Sequence, residues 1–77
     1  MKAYSVVYIK DMEEYAYDNF IEGATISDIV KELTYNANRY GVDYDEIAIF
    51  NSDDDEAETI YYEVVNCGDR YMLVELV

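Results

Sequence analysis

The amino-acid sequence predicts an α+β fold in which one helix packs on one face of a small, mostly antiparallel sheet of four to five strands. Residues 25–40 place apolar side chains three and four positions apart, as in an amphipathic helix, whereas the flanking segments are rich in β-branched and aromatic residues. The chain has 77 residues, no Pro and no linker-like stretch. We therefore expect residues 1–77 to form a single domain with the element order ββαβββ.

Two strands are predicted ahead of the helix. Residues 2–10 have the sequence KAYSVVYIK and are followed by polar residues at 11–14, which is typical of a strand and its end. Residues 14–22 carry Tyr15 and Tyr17 two positions apart, as on one face of a strand. This pattern predicts a hairpin.

The helix is the clearest element, because six apolar residues form a single stripe: Ile26, Ile29, Val30, Leu33, Ala37 and Tyr40. Thr25 is suited to cap the backbone amide of Asp28, whose carboxylate lies in the first turn near the positive end of the helix dipole. Gly41 is suited to end the helix.

Three further strands are predicted after the helix, over residues 46–50, 59–65 and 70–77. Residues 66–69 include Gly68 and form a short turn of the kind that joins two strands into a hairpin. Residues 51–58 form an acidic connection between the first two of these strands.

Alternation along the strands predicts which side chains face the helix. We assign the following set to the core: Val7, Ile9, Ile47, Ile49, Ile60, Tyr62, Val64, Met72, Val74 and Leu76. The opposite face would then carry Tyr4, Val6, Tyr8, Tyr61, Glu63, Tyr71, Leu73 and Glu75. Tyrosine is enriched where proteins meet other proteins, so this face is a candidate for a homodimer or for another partner. The competing interpretation is a solvated sheet, because Tyr is also a good strand former.

Charge is the strongest functional signal, because 18 Asp and Glu oppose 5 Lys and Arg and leave a net charge of −13. Direct binding to nucleic-acid phosphates needs a basic surface and is not expected. Binding to anionic membranes is not expected for the same reason, and no apolar segment is long enough to span a bilayer. The expected charged partners are basic proteins, although a merely solvated acidic surface explains the composition as well.

The acidic residues fall into two groups that are candidates for binding a partner. Residues 41–68 contain nine acidic residues and no basic one: Asp43, Asp45, Glu46, Asp53, Asp54, Asp55, Glu56, Glu58 and Glu63. The second group contains Glu13, Glu14 and Asp18, with Glu22 close by. Tyr61 and Tyr71 are added as candidates for desolvated contact with the partner.

Catalytic chemistry is not expected, because the sequence has no His and a single Cys. Catalytic triads, Cys-His pairs and structural zinc sites therefore have no residues to build them. Arg70 follows Cys67 by three residues, and a nearby cation favours a reactive thiol, but we interpret Cys67 as an ordinary residue of a hairpin turn. No cofactor and no metal site is predicted.

Residues 51–58 invite comparison with a calcium-binding loop. Starting at Asn51, residues of the ligand type occupy positions one, three and five, but Glu56 stands where Gly is required and Tyr62 where Glu is required. The sequence therefore predicts no calcium loop there, and binding of a cation by residues 51–58 is left open.

A cytoplasmic location is expected, because a single Cys forms no disulfide within one chain and no secretory leader is visible. In size, charge, clustered carboxylates and lack of catalytic residues, the chain resembles small acidic proteins of phages and mobile elements that imitate DNA and inhibit restriction or CRISPR enzymes. The resemblance is one of class, and no motif transfers residue roles. It implies an inhibitor or decoy in the basic nucleic-acid-binding groove of a defence or DNA-processing enzyme, acting in the host cytoplasm if it is encoded by a phage. The alternative is a small homodimeric regulatory or adaptor domain whose acidity is incidental.

Overall fold

The computed structural model describes residues 3–20, 23–53 and 58–76. Within these ranges it contains one helix and five strands: β1 (Tyr4–Lys10), β2 (Glu13–Asn19), α1 (Ile26–Tyr40), β3 (Glu46–Asn51), β4 (Ile60–Asn66) and β5 (Tyr71–Leu76). The strands form one sheet in the order β2-β1-β3-β4-β5, and each neighbouring pair is antiparallel. The predicted α+β class and the order ββαβββ are therefore confirmed.

Both ends of α1 are capped by the residues that the sequence predicts. The side chain of Thr25 accepts a hydrogen bond from the backbone N–H of Asp28, while the Asp28 carboxylate accepts one from the backbone N–H of Thr25. Hydrogen bonds from Thr25 lower the pKa of the Asp28 carboxyl below its ordinary value. At the other end Gly41 has a φ of 83° and donates to the carbonyl of Ala37 at 2.9 Å.

A two-residue turn joins β1 to β2. Asp11 and Met12 both have positive φ, of 53° and 69°, which is the backbone that matches the twist of a tight hairpin. Lys10 and Glu13 are paired on either side of the turn, and the register shifts between Tyr8 and Ile9. This irregularity changes the direction of the side chains at the turn end of β2.

The core lies between α1 and one face of the sheet. Ile29, Leu33 and Ala37 are the buried residues of the helix. They pack over a layer of buried sheet residues formed by Val6, Ile47, Ile49 and Tyr62. At the far edge Asn38 fixes the helix to β5, since its side-chain amide donates to the Tyr71 carbonyl at 3.1 Å and accepts from the Tyr71 N–H at 2.7 Å.

The predicted sidedness is correct for β3 and β4. Ile47, Ile49 and Tyr62 face the helix as expected, and Ile60 packs against the same core. Tyr61 and Glu63 alternate with these residues and lie on the other face, which the helix leaves uncovered.

The sidedness predicted for β1 is wrong. Val6 is fully buried in the core, with Tyr4 and Tyr8 packed beside it, so Val7 and Ile9 lie on the uncovered face. Both faces of β1 are apolar, and alternation alone does not say which of them meets the helix.

The sidedness predicted for β5 is wrong for a related reason. Leu73 packs against the core, whereas Met72, Val74 and Leu76 are 41–46% exposed on the uncovered face. By alternation Tyr71 and Glu75 lie on the helix side. A strand at the sheet edge is only partly covered by one helix, so its apolar pattern carries little information about direction.

In the described part of the chain, no helix is long and apolar enough to cross a membrane.

The placement of β1 predicts different effects of two adjacent substitutions. Val6→Ala removes methyl groups from a fully buried side chain and is expected to lower the free energy of unfolding by about 2 kcal/mol. Val7→Ala makes the same chemical change on the uncovered face and is expected to cost less than about 1 kcal/mol. Urea denaturation of both variants measures the difference. A larger loss for Val7→Ala would show that β1 faces the other way.

Candidate interaction surfaces

The face of the sheet that α1 does not cover is here called the open face. One row of side chains crosses all five strands on this face, because Tyr17 pairs with Val7, Val7 with Ala48, Ala48 with Tyr61 and Tyr61 with Leu76. Tyr17 is 70% exposed, Tyr61 46% and Leu76 41%. Ala48, at the centre of this apolar row, is only 5% exposed, so the accessible residues of the row lie toward its two ends. The open face is therefore more aliphatic than the tyrosine and carboxylate surface expected from the sequence.

A second row on the open face is acidic. Glu14 pairs with Ile9, Ile9 with Glu46, Glu46 with Glu63 and Glu63 with Val74. Three of the five positions in this row are carboxylates, and Glu46 lies directly opposite Glu63. Like charges directly opposite on neighbouring strands destabilise a sheet. The row lies beside the apolar row, because Val7 and Ile9 are two positions apart on β1.

Further carboxylates gather at the same end of the sheet. The backbone N–H of Asp45 donates to the Ile9 carbonyl at 3.0 Å. The Asp45 carboxylate accepts a hydrogen bond from the backbone N–H of Asp11 at 3.3 Å. We call this region the acidic end; it contains Asp11, Glu13, Glu14, Asp43, Asp45, Glu46 and Glu63. Lys10, paired with Glu13, is a basic residue in the same region. The fold thus joins residues 11–14, 43–46 and 63, which are far apart in sequence.

The structure separates the other predicted acidic residues from this group. Asp53 follows β3 at the opposite end of the sheet, where the N–H of Ser52 donates to the carbonyl of Ala3. Glu58 precedes β4 at that same end. Asp54, Asp55 and Glu56 lie outside the described residues. The acidic run in the sequence is therefore not one continuous surface.

The remaining predicted site residues face the helix side. Asp18 accepts a hydrogen bond from the hydroxyl of Tyr8 at 2.7 Å, close to the other end of β2. Tyr71 is tied to Asn38 and lies on the helix side, away from Tyr61. Tyr61 and Tyr71 therefore do not share a surface, which corrects the expected tyrosine face.

Between α1 and the β1–β2 hairpin the structure forms a groove that the sequence does not indicate. The tyrosine groove is lined by Tyr8, Tyr15, Tyr40, Tyr44 and Asp43, among others. The rings of Tyr8 and Tyr44 lie 4.8 Å apart and are tilted by 51°. The hydroxyl of Tyr15 donates to the Asp43 carboxylate at 2.9 Å. In the sequence, Tyr44 stands between Asp43 and Asp45, but this feature alone does not predict a groove.

The hydroxyls of Tyr8, Tyr15 and Tyr44 in this groove are held in their neutral form. Burial and then the hydrogen bond to Asp18 raise the pKa of Tyr8 well above its ordinary value. Loss of hydration and the hydrogen bond to Asp43 raise the pKa of Tyr15 to about 12. Burial and the charge of Asp43 raise the pKa of Tyr44. The hydroxyls of Tyr8 and Tyr15 therefore remain donors to the carboxylates of Asp18 and Asp43 at neutral pH.

No group of three or more His, Cys, Asp or Glu that could hold a metal ion is found among residues 3–20, 23–53 and 58–76. The acidic end is thus a spread of separate charges. Cys67 is exposed in the β4–β5 turn, where its N–H donates to the Arg70 carbonyl at 2.7 Å. This position matches its interpretation as a turn residue.

The pairing of Glu46 with Glu63 predicts a stabilising charge reversal. Glu63→Lys replaces a repulsive cross-strand pair by an attractive one, and we expect it to raise the free energy of unfolding by about 0.5–1 kcal/mol at low salt. Glu75→Lys makes the same change of charge opposite Tyr62 and serves as the control. Urea denaturation at low and high salt measures both variants. Equal gains would show that overall charge, not this pair, sets the effect.

Comparisons of the chain with known proteins return no match to a protein-family model, to a curated protein or to a solved structure.

Proposed function

We propose that this protein inhibits a defence or DNA-processing enzyme by occupying its basic nucleic-acid-binding groove, in the manner of a DNA mimic of the anti-CRISPR or anti-restriction type. The observation that carries the proposal is the gathering of carboxylates at the acidic end, in a chain with a net charge of −13. The proposed activity is binding, without catalysis and without a cofactor. The proposed place of action is the cytoplasm of a host cell.

The arrangement of the charges in a row supports imitation of a nucleic acid. Neighbouring strands lie about 4.8 Å apart, so the backbones that carry Glu46 and Glu63 are held at about that separation. A DNA strand likewise presents its phosphate charges in a regular row along the helix. A Lys- and Arg-lined groove that accepts phosphates is therefore complementary in charge to this row of carboxylates.

The proposed mechanism is competition by occupation. Carboxylates of the acidic end pair with the positive side chains that otherwise contact phosphates, and the enzyme loses access to its substrate. Because each such contact displaces counterions or pairs charges across a wet interface, binding weakens as salt rises. The apolar row, which includes Tyr61 and lies beside the acidic row, adds contact that excludes water.

A second candidate function is a homodimeric regulatory or adaptor domain. The observation that favours it is the exposed apolar area of the open face, where Tyr61 and Leu76 of the apolar row and the neighbouring Val74 are each more than 40% exposed. A second copy seated on this face would cover these side chains. It would also bring the two acidic rows into one interface, which opposes the dimer at low salt.

The decoy proposal is tested by affinity capture from bacterial extract at low and raised salt, with captured proteins identified by mass spectrometry. One bait carries Glu14→Gln, Glu46→Gln and Glu63→Gln, which removes the acidic row. The matched bait carries Glu58→Gln, Asp69→Asn and Glu75→Gln, which removes the same number of charges away from the acidic row and from the cavities beside α1. We expect the natural chain and the matched bait to capture a nucleic-acid enzyme at low salt, and the acidic-row bait to capture at least about tenfold less.

Two outcomes of this experiment contradict the proposal. Equal capture by both baits would remove the acidic row from the interface. Recovery of the protein itself alone, together with a dimer in sedimentation that Leu76→Asp dissociates, would favour the homodimeric domain. Circular dichroism of each bait shows that it is folded before capture is compared.

A further inference from the structure

The tyrosine groove has a volume of about 290 Å³ and an apolar floor. Leu33 and Ala37 of α1 line it and are 3% and 2% exposed, so the floor belongs to the rigid core. Binding sites for drug-sized ligands have volumes of roughly 300–1,000 Å³. This groove is therefore suited to one side chain or small group and too small for a larger cofactor.

Aromatic residues form much of the groove wall. Tyr8, Tyr15, Tyr40 and Tyr44 all line it, and the close contact of Tyr8 with Tyr44 fixes two of these rings. Clusters of aromatic rings bind cations, because the face of each ring carries partial negative charge. Tyr40 already shows this property, since the guanidinium carbon of Arg39 lies 5.4 Å from its ring centre. Arg39 also donates to the hydroxyls of Tyr35 and Tyr40 and is not among the groove residues.

The charged side chains that line the groove and the cavity beside it are acidic. Asp43 lines the groove and accepts a hydrogen bond from the Tyr15 hydroxyl. Tyr8 also lines a neighbouring cavity of about 330 Å³. The acidic residues that line this second cavity are Asp18, Asp28 and Glu32. Among the residues that the structure describes, no Lys or Arg lines either cavity. The combination of aromatic walls, a carboxylate and no lining cation is complementary to a positively charged guest.

We propose that the tyrosine groove binds the side chain of an arginine that belongs to the partner protein. The planar guanidinium stacks on aromatic rings and donates up to five hydrogen bonds, which suits Tyr walls beside the Asp43 carboxylate. The apolar floor receives the methylene stem. That this arginine belongs to a partner protein rests on the proposed function. Its binding in the groove gives the interface one specific contact, next to the less specific attraction exerted by the acidic end.

The test is an NMR titration of the full chain at physiological ionic strength. The first probe is N-acetylarginine amide, and the second is N-acetylcitrulline amide, which has the same shape without the charge. We expect the arginine probe to shift resonances of Tyr15, Ala37 and Tyr44 with saturation, and the citrulline probe to leave them in place. Saturable shifts at Glu63 and Glu75 but none at the groove would overturn the proposal.

Variants separate a built site from general attraction to an acidic protein. Tyr15→Leu removes an aromatic wall without changing charge, and Asp43→Asn removes the carboxylate; each is expected to weaken the arginine probe about threefold to tenfold. Glu75→Gln removes a charge from β5, at the far edge of the sheet, and is expected to bind as the natural chain does. Natural affinity in folded Tyr15→Leu would overturn the proposal, because attraction by net charge alone is unaffected by this variant.

A second pair of probes distinguishes binding of a partner's side chain from binding of a small free cation. Agmatine is a small molecule that joins the same guanidinium to a free amine and has no peptide backbone. The peptide Gly-Arg-Gly carries the guanidinium on an arginine side chain within a peptide backbone. Binding of the peptide at least as tight as that of agmatine supports a protein guest, whereas agmatine bound more than about tenfold tighter would contradict it. Arginine binding without an effect of the acidic row on capture would refute the decoy alone. Capture without arginine binding would refute only the groove.

Discussion

The packing of one helical stripe against one face of the sheet is the constraint on which the rest of the structure depends. Ile29, Leu33 and Ala37 cover Val6 and Ile47, and burying each large side chain contributes about 1.5–3 kcal/mol. A domain of 77 residues buries a modest share of its surface. A single helix covers one face of five strands, so Tyr17, Tyr61 and Leu76 of the apolar row on the other face stay exposed. The surface available to a partner is a direct consequence of how the core is built.

Charge is distributed in relation to that packing. The acidic end lies where the two sides of the sheet meet, because Asp43 borders the tyrosine groove on the helix side while Glu46 and Glu63 lie on the open face. Self-repulsion among these groups opposes folding. The fold nevertheless places Glu46 and Glu63 opposite each other on paired strands, and the positively charged partner proposed above would relieve this repulsion. The acidic end, the open face and the groove together form the basis of the proposed inhibition.

The sequence predicts the elements well and the faces less well. The helix follows from its apolar spacing with Thr25 and Gly41 at its ends, and these are local signals. The direction of β1 is decided by tertiary packing, because both Val6 and Val7 are suited to a core. The grouping of Asp45 with Asp11, and of Tyr15 with Asp43, depends on strand register and on a shift beside Ile9 that no local pattern encodes. The proposed site therefore depends on the three-dimensional arrangement of these residues, whereas the net charge follows from the composition alone.

The most direct test of this account is the accessibility of methyl groups in the free protein, measured by NMR with an uncharged paramagnetic cosolute on a sample shown to be monomeric. The account predicts strong relaxation of Met72, Val74 and Leu76, which are 41–46% exposed, and protection of Ile29, Leu33 and Ile47, which are at most 3% exposed. Protection of Val74 and Leu76 in the monomer would contradict it. The open face would then be covered by the chain itself and closed to any partner.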